Sequence, residues 1–285
     1  EVSDALGAEI LRLWVGSTDY AGELSISKEI LKRVVEGYRR IRNTLRFLLA
    51  NLSDFKATQH SIPAPDLLEI DRYAIAMTQS MQQEVLAHYE QYDFHPAVSR
   101  LQHFCSEDLG AFYLDVLKDR LYTSAPSSHA RRSAQTAIFH ITQSLLKLMA
   151  PILSFTAEEA WQVLQQEGVI NVEDVPSQKT IFAQCYHTMP ALDNAQDLNS
   201  KWSRVREIRA QVQKDLEVLR TDGKIGASLQ AEIQIECGPV DAEILHSVGD
   251  QLKFVLIVSS ATVVSGPGDE IRVLARASEH TKCAR

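Results

Sequence analysis

Residues 130–150 repeat apolar side chains at alternating intervals of four and three positions. The repeat consists of Ala134, Ile138, Ile141, Leu145 and Leu148. Such spacing places one apolar stripe along an α-helix and is typical of helices in antiparallel bundles. Helical spacing recurs over residues 34–52, 70–89 and 96–122, with short loops between these segments. We therefore expect four or five helices packed as a bundle over residues 1–165.

The pattern changes after the predicted bundle. Residues 166–197 show no periodicity, and we expect an irregular connection there with one short strand at 180–185. A further long helix is predicted over residues 198–221. This helix is expected to link the bundle to a second domain.

The last part of the chain alternates between strand and helix signals. Apolar residues at every second position indicate strands near 229–237, 261–264 and 271–275, and Pro239 marks the start of a helix between the first two. These signals predict a small α/β module over residues 222–285. The fold class is therefore mainly α, an antiparallel helical bundle followed by a small α/β module.

The composition limits the class of protein. The chain has 285 residues, of which 45% are hydrophobic and 23% charged, as is ordinary for a folded protein of two domains. Its formal net charge is −8. A negative total excludes a surface that is basic throughout. It does not exclude nucleic-acid binding, which depends on where cations cluster.

The cysteines predict the cellular compartment of the protein, and the chain ends predict that the sequence is part of a longer chain. Cys105, Cys185, Cys237 and Cys283 lie far apart and form no C-x-x-C pair, which predicts reduced thiols in a cytoplasmic protein. No apolar run is long enough to cross a membrane, and the first residues lack the features of a signal peptide. The missing initiator Met and the end at "KCAR" indicate a piece of a longer chain.

The clearest candidate for a binding surface is a basic ridge from Lys28 to Arg46 on the predicted helix that ends at Leu52. Seven basic and two acidic residues lie between Lys28 and Arg46, a local charge of +5. On a helical wheel Arg39, Arg42 and Arg46 fall opposite the apolar stripe. A solvated surface is one interpretation of this ridge. The alternative is a row of phosphate contacts, because a polyanion is a common partner for unpaired arginines.

Three further pairs of cations are weaker candidates for RNA contacts. Lys118 and Arg120 lie near Tyr122 at a predicted helix end, where a cation beside an aromatic ring suits an unstacked base. Asp115 stands three positions before Lys118, which favours an ion pair on the helix surface. The other pairs are Arg131 with Arg132 and Lys214 with Lys224. A solvated charge is an equal alternative for each of them.

Motifs that would carry catalysis are absent from the sequence, including nucleophile, phosphate-loop and metalloprotease signatures. Gly266 and Gly268 in "GPGDE" predict a hairpin turn rather than a phosphate loop. His95 and His140 are expected to be packed or capping residues rather than metal ligands. The segment "TAEE", Thr156–Glu159, predicts a capping box at a helix start. The sequence therefore assigns no catalytic residue.

Five segments carry a resemblance to a known family. They are "GAEILRLWVGSTDY" (7–20), "YRRIRNTLRFLLANL" (38–52), "YDFH" (92–95), "FYLDVLKDRLY" (112–122) and "MAPILSFTAEEAW" (149–161). In this order, over essentially the whole chain, they resemble the C-terminal part of bacterial isoleucine–tRNA ligases, which are class I aminoacyl-tRNA synthetases. The segment "KIGASLQA" (224–231) is similar to the junction module of that family. One departure is Tyr186, where the family usually has a tryptophan.

The resemblance implies that the bundle is an anticodon-binding domain and that catalysis lies elsewhere. The signatures of the catalytic domain are missing, so ATP, magnesium and isoleucine are expected to bind only in the full-length enzyme. "KCAR" (282–285) is similar to the opening of the family's zinc module, where Cys283 matches the first zinc ligand. One thiolate cannot complete a tetrahedral site, so no zinc is expected in this chain.

The expected partner is the isoleucine tRNA, bound by a monomer that positions it for the absent catalytic domain. Arg39, Arg42 and Arg46 are expected to face phosphates or that domain, and Arg40 to be a structural ion-pair partner. Two alternatives stay open. The chain could be a helical scaffold that binds its own catalytic domain rather than RNA, or the equivalent piece of a valine or leucine ligase.

Overall fold

The computed structural model describes residues 2–171, 179–268 and 270–280. It divides into two compact units, Glu1–Ala195 and Gln196–Arg285. The long helix predicted as a link therefore belongs with the second unit. It carries part of that unit's core, since Trp202, Val205 and Val212 are buried.

The first unit is helical, as predicted. Its helices are α1 (Val2–Leu6), α2 (Ala8–Gly16), α3 (Lys28–Ala50), α4 (Ala57–His60), α5 (Glu69–Glu90), α6 (Phe94–His103), α7 (Leu114–Thr123), α8 (His129–Met149) and α9 (Ser154–Gln166). Helix α8 is central, and the five residues of its apolar repeat are completely buried. It packs against α5, which packs in turn against α6. The spacing of four and three residues therefore marks the most enclosed helix.

One predicted helix consists of three pieces. Helices α6 and α7 are joined without a break by a π-helix over Phe104–Tyr113. The wider π turn fits closely against α3, where the Thr44 hydroxyl donates to the Cys105 carbonyl at 3.2 Å. A Cβ at Gly110 would stand 3.0 Å from that same carbonyl oxygen. Apolar spacing does not reveal this change of helix type, because both forms bury nearly the same residues.

The capping box predicted at Thr156–Glu159 is wrong. Helix α9 begins two residues earlier, at Ser154, and its first turn is capped from another helix. The Glu9 carboxylate of α2 accepts hydrogen bonds from the backbone N–H groups of Phe155, at 2.7 Å, and Thr156, at 3.1 Å. A carboxylate from a distant segment thus replaces the local cap, which no local motif can predict.

The strand predicted at residues 180–185 is also absent. Ile181–Ala183 form a 3₁₀ turn instead. The Glu158 carboxylate fixes this turn by accepting from the Thr180 hydroxyl and from the Ile181 N–H, both at 2.9 Å. The segment packs on helices and offers no partner strand, so its alternating residues do not form a ladder.

The second unit is the predicted small α/β module. Its elements are α10 (Ala195–Thr221), β1 (Ala231–Cys237), α11 (Pro239–Val248), α12 (Leu252–Leu256), β2 (Ser260–Ser265) and β3 (Arg272–Ala277). Strand β1 lies in the centre, parallel to β2 and antiparallel to β3. The glycine-rich segment at Gly266 and Gly268 therefore connects strands on opposite sides of β1. The predicted hairpin is wrong, because β2 and β3 are not neighbours.

Candidate nucleic-acid interface

Helix α3 presents the basic ridge in the orientation that the helical wheel predicts. Its N-terminus is capped by Ser27, whose hydroxyl accepts from the Ile30 N–H at 3.1 Å. Leu31, Ile41 and Leu45 are buried on one side of the helix. The burial of this side fixes the rotation of the helix, so the basic residues on the other side stay in solvent.

Two arginines of this helix are paired with its only two acids. Arg33 contacts Glu29 at 2.6 Å and Arg39 contacts Glu36 at 2.9 Å, one helical turn away in each case. All four side chains are about half exposed or more. Such pairs contribute little to folding, about 0.3–0.5 kcal/mol each, and Arg39 can leave Glu36 at low cost.

Arg42 is held against the neighbouring helix α9. Its guanidinium donates to the Tyr38 hydroxyl at 3.2 Å and lies 3.6 Å from the Glu159 carboxylate. The hydrogen bond to Tyr38 is the main reason why the pKa of Arg42 is raised above its ordinary value. Tyr38 is itself hydrogen-bonded to the Thr156 hydroxyl at 2.9 Å. This arginine therefore has a structural role in addition to any contact with RNA.

Four cations of α3 are exposed and make no ion pair within the described part of the chain. They are Lys28, Lys32, Arg40 and Arg46. The structural ion pair expected for Arg40 is absent, because Arg33 and Arg39 occupy both acids of the helix. These four side chains extend over about 27 Å at 1.5 Å per residue.

Arg120 points into the interior of the bundle, where it forms an ion pair. Its guanidinium contacts Asp71, which is completely buried and also accepts from the Tyr113 hydroxyl at 2.8 Å and from Ser133. Burial, followed by the Asp71 charge, raises the pKa of Tyr113 well above its usual value. With its side chain only 12% exposed, Arg120 is poorly placed for RNA. Lys118 points outward, 57% exposed and paired with Asp115 at 2.8 Å, as predicted.

Arg131 and Arg132 are also largely buried and form ion pairs within the bundle. Their side chains are 18% and 14% exposed and both contact Asp54. Burial opposes ionisation of Asp54, but the hydrogen bonds from Arg131 and Gln135 outweigh it and keep its pKa below the ordinary value. These arginines join the start of α8 to the turn that follows α3. This structural role is a sufficient reason for the two arginines, and no contact with RNA is needed to explain them.

The second unit offers two exposed candidates. Lys214, on α10, makes no hydrogen bond or ion pair within the described residues. Lys224 contacts Asp222 at 3.0 Å and is 60% exposed. Both stay available for a phosphate.

An aromatic residue that the sequence did not single out lies beside the cations of α3. The Phe47 ring is 6.5 Å from the Tyr122 ring, centroid to centroid, and tilted by 59°. Tyr122 is 66% exposed. Phe47 falls outside the apolar stripe on the helical wheel, and this departure was the available signal.

His140 is packed, as predicted, and it has a partner. Its Nδ1 lies 2.9 Å from Nε2 of His187. Burial lowers the pKa of His140 to about 4 and that of His187 to about 3. Both rings are therefore neutral near pH 7. They attach the segment after the 3₁₀ turn to α8.

Within the described residues, no cluster of three or more His, Cys, Asp or Glu side chains could hold a metal ion. Cys283, the expected first zinc ligand, lies outside those residues. No helix in the described part of the chain is both long and apolar enough to cross a membrane.

Comparison with known proteins identifies the class. Residues 71–235 match the family described as the anticodon-binding domain of tRNA ligase. This match covers more than half of the chain, so the chain belongs to that family. The region is the anticodon-binding part of such enzymes, and catalysis is not assigned to it.

The relatives point to one kind of ligase. The whole chain is similar to the isoleucine–tRNA ligases of Bordetella petrii, at 66% identity, Bordetella avium, at 63%, and Cupriavidus necator, at 58%. It spans only about 30% of the length of each of these proteins.

Proposed function

We propose that the chain binds the isoleucine tRNA and reads its anticodon as part of an isoleucine–tRNA ligase. The observation that carries this proposal is the row of exposed, unpaired cations on α3. In a chain of net charge −8, a helix with a local charge of +5 is a marked exception. The family match adds that the partner is a tRNA, whose phosphates suit such a row.

Arg40 and Arg46 are the strongest candidates for phosphate contacts, with Lys28 and Lys32 extending the row. Because they make no ion pair within the described ranges of the chain, they can bind a phosphate without first losing another partner. Arg39 can join them after leaving Glu36. Phosphate contacts of this kind set position and salt dependence, while base contacts set the choice of anticodon.

The other partners belong to the longer ligase. We place ATP, magnesium and isoleucine in its catalytic part, and zinc in a module that Cys283 would open. We further propose that the protein acts in the cytoplasm and as a monomer. The tRNA would then be held by this chain while its acceptor end reaches the catalytic part.

Fluorescence anisotropy with labelled isoleucine tRNA, between about 50 and 300 mM salt, tests the proposal. We expect affinity to fall steeply with salt, and to be higher for the cognate tRNA than for one with an exchanged anticodon. Salt-sensitive binding without discrimination would restrict these residues to phosphate contacts. Absence of binding to either tRNA at low salt would contradict the proposal.

A second surface supports a contact with the rest of the ligase rather than with RNA. Tyr20 and Tyr92 are 60% and 70% exposed, and the Tyr20 hydroxyl donates to the Tyr92 carbonyl at 3.0 Å. Phe94 extends the patch, its ring 6.3 Å from that of Tyr92. Exposed aromatic patches of this kind mark protein contacts. Tyr92→Ser should weaken binding to the separately produced remainder of a full-length relative, and unchanged binding would exclude this role.

A further inference from the structure

We infer that Tyr38 is a positioning residue, which holds the Arg42 guanidinium ready to bind one phosphate of the tRNA. The inference rests on the proposed function and specifies one contact on the basic ridge. Tyr38 acts within a chain of hydrogen bonds that runs from Arg42 on α3 to Glu9 on α2. The ligand class is the phosphodiester backbone, and the chain of bonds fixes where on α3 one phosphate is held.

The first observation is the direction of the hydrogen bonds. A guanidinium can only donate, so the Tyr38 hydroxyl accepts from Arg42, at 3.2 Å. The Tyr38 hydroxyl then donates its own proton to the Thr156 hydroxyl, at 2.9 Å, because no other acceptor for it lies within the described ranges of the chain. The two bonds together hold the guanidinium towards α9. A phenylalanine at position 38 could make neither of them.

The second observation is the support at the far end of this chain of bonds. Thr156 is 5% exposed, and its backbone N–H donates to the buried Glu9 carboxylate at 3.1 Å. Helix α2 is attached to the same region by Arg12, whose guanidinium donates to the Ile152 carbonyl at 2.7 Å. Tyr38 is therefore bonded to a packed part of the bundle. A side chain held in this way loses less freedom when it binds a ligand.

The third observation is that the Arg42 guanidinium stays accessible. Its side chain is 47% exposed. It lies on the same face of α3 as Arg39 and Arg46, which are three and four positions away. The bond to Tyr38 and the ion pair with Glu159, at 3.6 Å, leave further N–H donors of the guanidinium for a phosphate.

A purely structural role would require a larger contribution to folding than these contacts make. The side chains of the Arg42–Glu159 pair are 47% and 63% exposed, and exposed pairs of this kind stabilise a fold very little. Arg40 and Arg46 make no ion pair within the described residues, so they must be ordered when they bind. Of these three arginines, Arg42 is the one that the fold already orients. Its phosphate therefore sets the position of the RNA, while the other two add attraction.

The affinity of the chain for isoleucine tRNA, and the salt dependence of that affinity, test the inference. Tyr38→Phe should weaken binding about 2- to 12-fold, the range for ordering one side chain, with an unchanged salt slope because Arg42 keeps its charge. Arg42→Ala should weaken binding and also lower the slope by about one. Tyr89→Phe is the matched control, since it removes a hydroxyl that donates to the Leu148 carbonyl at 2.8 Å, and it should leave the affinity unchanged.

The double variant Tyr38→Phe, Arg42→Ala separates positioning from a loss of folding. If Tyr38 acts through Arg42, the double variant should bind tRNA as Arg42→Ala does, because no guanidinium is left to orient. A loss of affinity from Tyr38→Phe that is equally large with and without Arg42 would overturn the inference, and so would parent affinity in Tyr38→Phe or in Arg42→Ala. These results would leave the proposed function intact. If the parent chain binds no tRNA at low salt, the proposed function fails, and the inference fails with it.

Discussion

The arginines of α3 differ in their partners from the arginines at the end of α7 and at the start of α8. On α3, Arg40 and Arg46 are exposed and make no ion pair with any residue that the structure describes. At the other location, Arg120 and Arg131 have side chains only 12% and 18% exposed and contact Asp71 and Asp54. Both sets consist of arginines that the sequence offers as candidates for RNA contacts or ion pairs. The difference shows that a partner acid in another segment of the chain decides whether an arginine supports the fold or stays available to a ligand.

The energetics of the two sets should differ in the same way. A buried charge whose partner is removed is strongly destabilising, whereas removal of an exposed, unpaired cation changes folding very little. Stability and RNA affinity should therefore respond to different arginines, and the arginine substitutions below test this separation.

The largest expected effect comes from Arg120→Ala. The change leaves Asp71 buried without its counter-ion, and the free energy of unfolding should fall by about 3–5 kcal/mol. Urea denaturation followed by circular dichroism measures this loss. Lys118→Ala, two residues away, removes only an exposed pair and should cost less than about 1 kcal/mol. Equal decreases in the free energy of unfolding for both variants would contradict the distinction between buried and exposed ion pairs.

The histidine pair should make stability depend on pH, although no arginine is involved. His140 and His187 have pKa values near 4 and 3 in the folded state, against 6.5 ordinarily. Between about pH 6.5 and 4 the unfolded chain binds more protons, so the free energy of unfolding decreases as pH falls through this window. The expected loss at pH 4.5 is on the order of 2–3 kcal/mol for each histidine.

Thermal unfolding at pH 7 and pH 4.5 checks this dependence. The double variant His140→Gln, His187→Gln should lose most of the slope in this window. A slope that persists unchanged in the double variant would assign the pH dependence to other groups.

A smaller effect is expected from the cap between α2 and α9. Glu9→Ala removes the acceptor of two backbone N–H groups and should cost about 1–2 kcal/mol. Glu29→Ala removes an acid of the exposed kind, 75% exposed, and should cost less than about 0.5 kcal/mol. Differential scanning calorimetry of the two variants compares the buried capping carboxylate of Glu9 with the exposed carboxylate of Glu29, which forms a surface ion pair. A Tm for Glu9→Ala equal to that of the parent would show that water replaces the cap.

The smallest expected effect on folding comes from Arg46→Ala. Its side chain has no ion pair to lose, so the free energy of unfolding should change by less than about 0.5 kcal/mol. Urea denaturation of this variant beside Arg131→Ala makes the comparison direct, because the latter breaks contacts to Asp54 and to the Leu121 carbonyl. A marked loss in Arg46→Ala would mean that this arginine is structural after all.

Much of the fold was predictable because it depends on periodic burial. The apolar repeat of α8 and the alternation of β1 each report one buried face, and both predictions are confirmed. The 3₁₀ turn at Ile181, the Glu9 cap and the separation of β2 from β3 depend on residues distant in the sequence. A local sequence pattern does not indicate which distant residues will be in contact, so these features were not predicted.

The candidate site was predictable only in part for the same reason. The wheel showed that Arg39, Arg42 and Arg46 face solvent, but it wrongly made Arg40 a structural ion-pair partner. It could not show that Asp71 removes Arg120 from the surface. It also could not show that Glu29 and Glu36 leave Arg40 unpaired. Phe47 became noticeable only beside Tyr122, which lies on a different helix.

The most direct test of the account is the salt dependence of isoleucine tRNA affinity in the double variant Arg40→Ala, Arg46→Ala. Each phosphate contact contributes about one unit to the slope of log affinity against log salt, so the slope should fall by about two while unfolding is unchanged. The double variant Arg33→Ala, Glu29→Ala, which removes a paired cation with its acid, should keep the slope. An unchanged slope in Arg40→Ala, Arg46→Ala would contradict the claim that the free arginines of α3 bind the tRNA backbone.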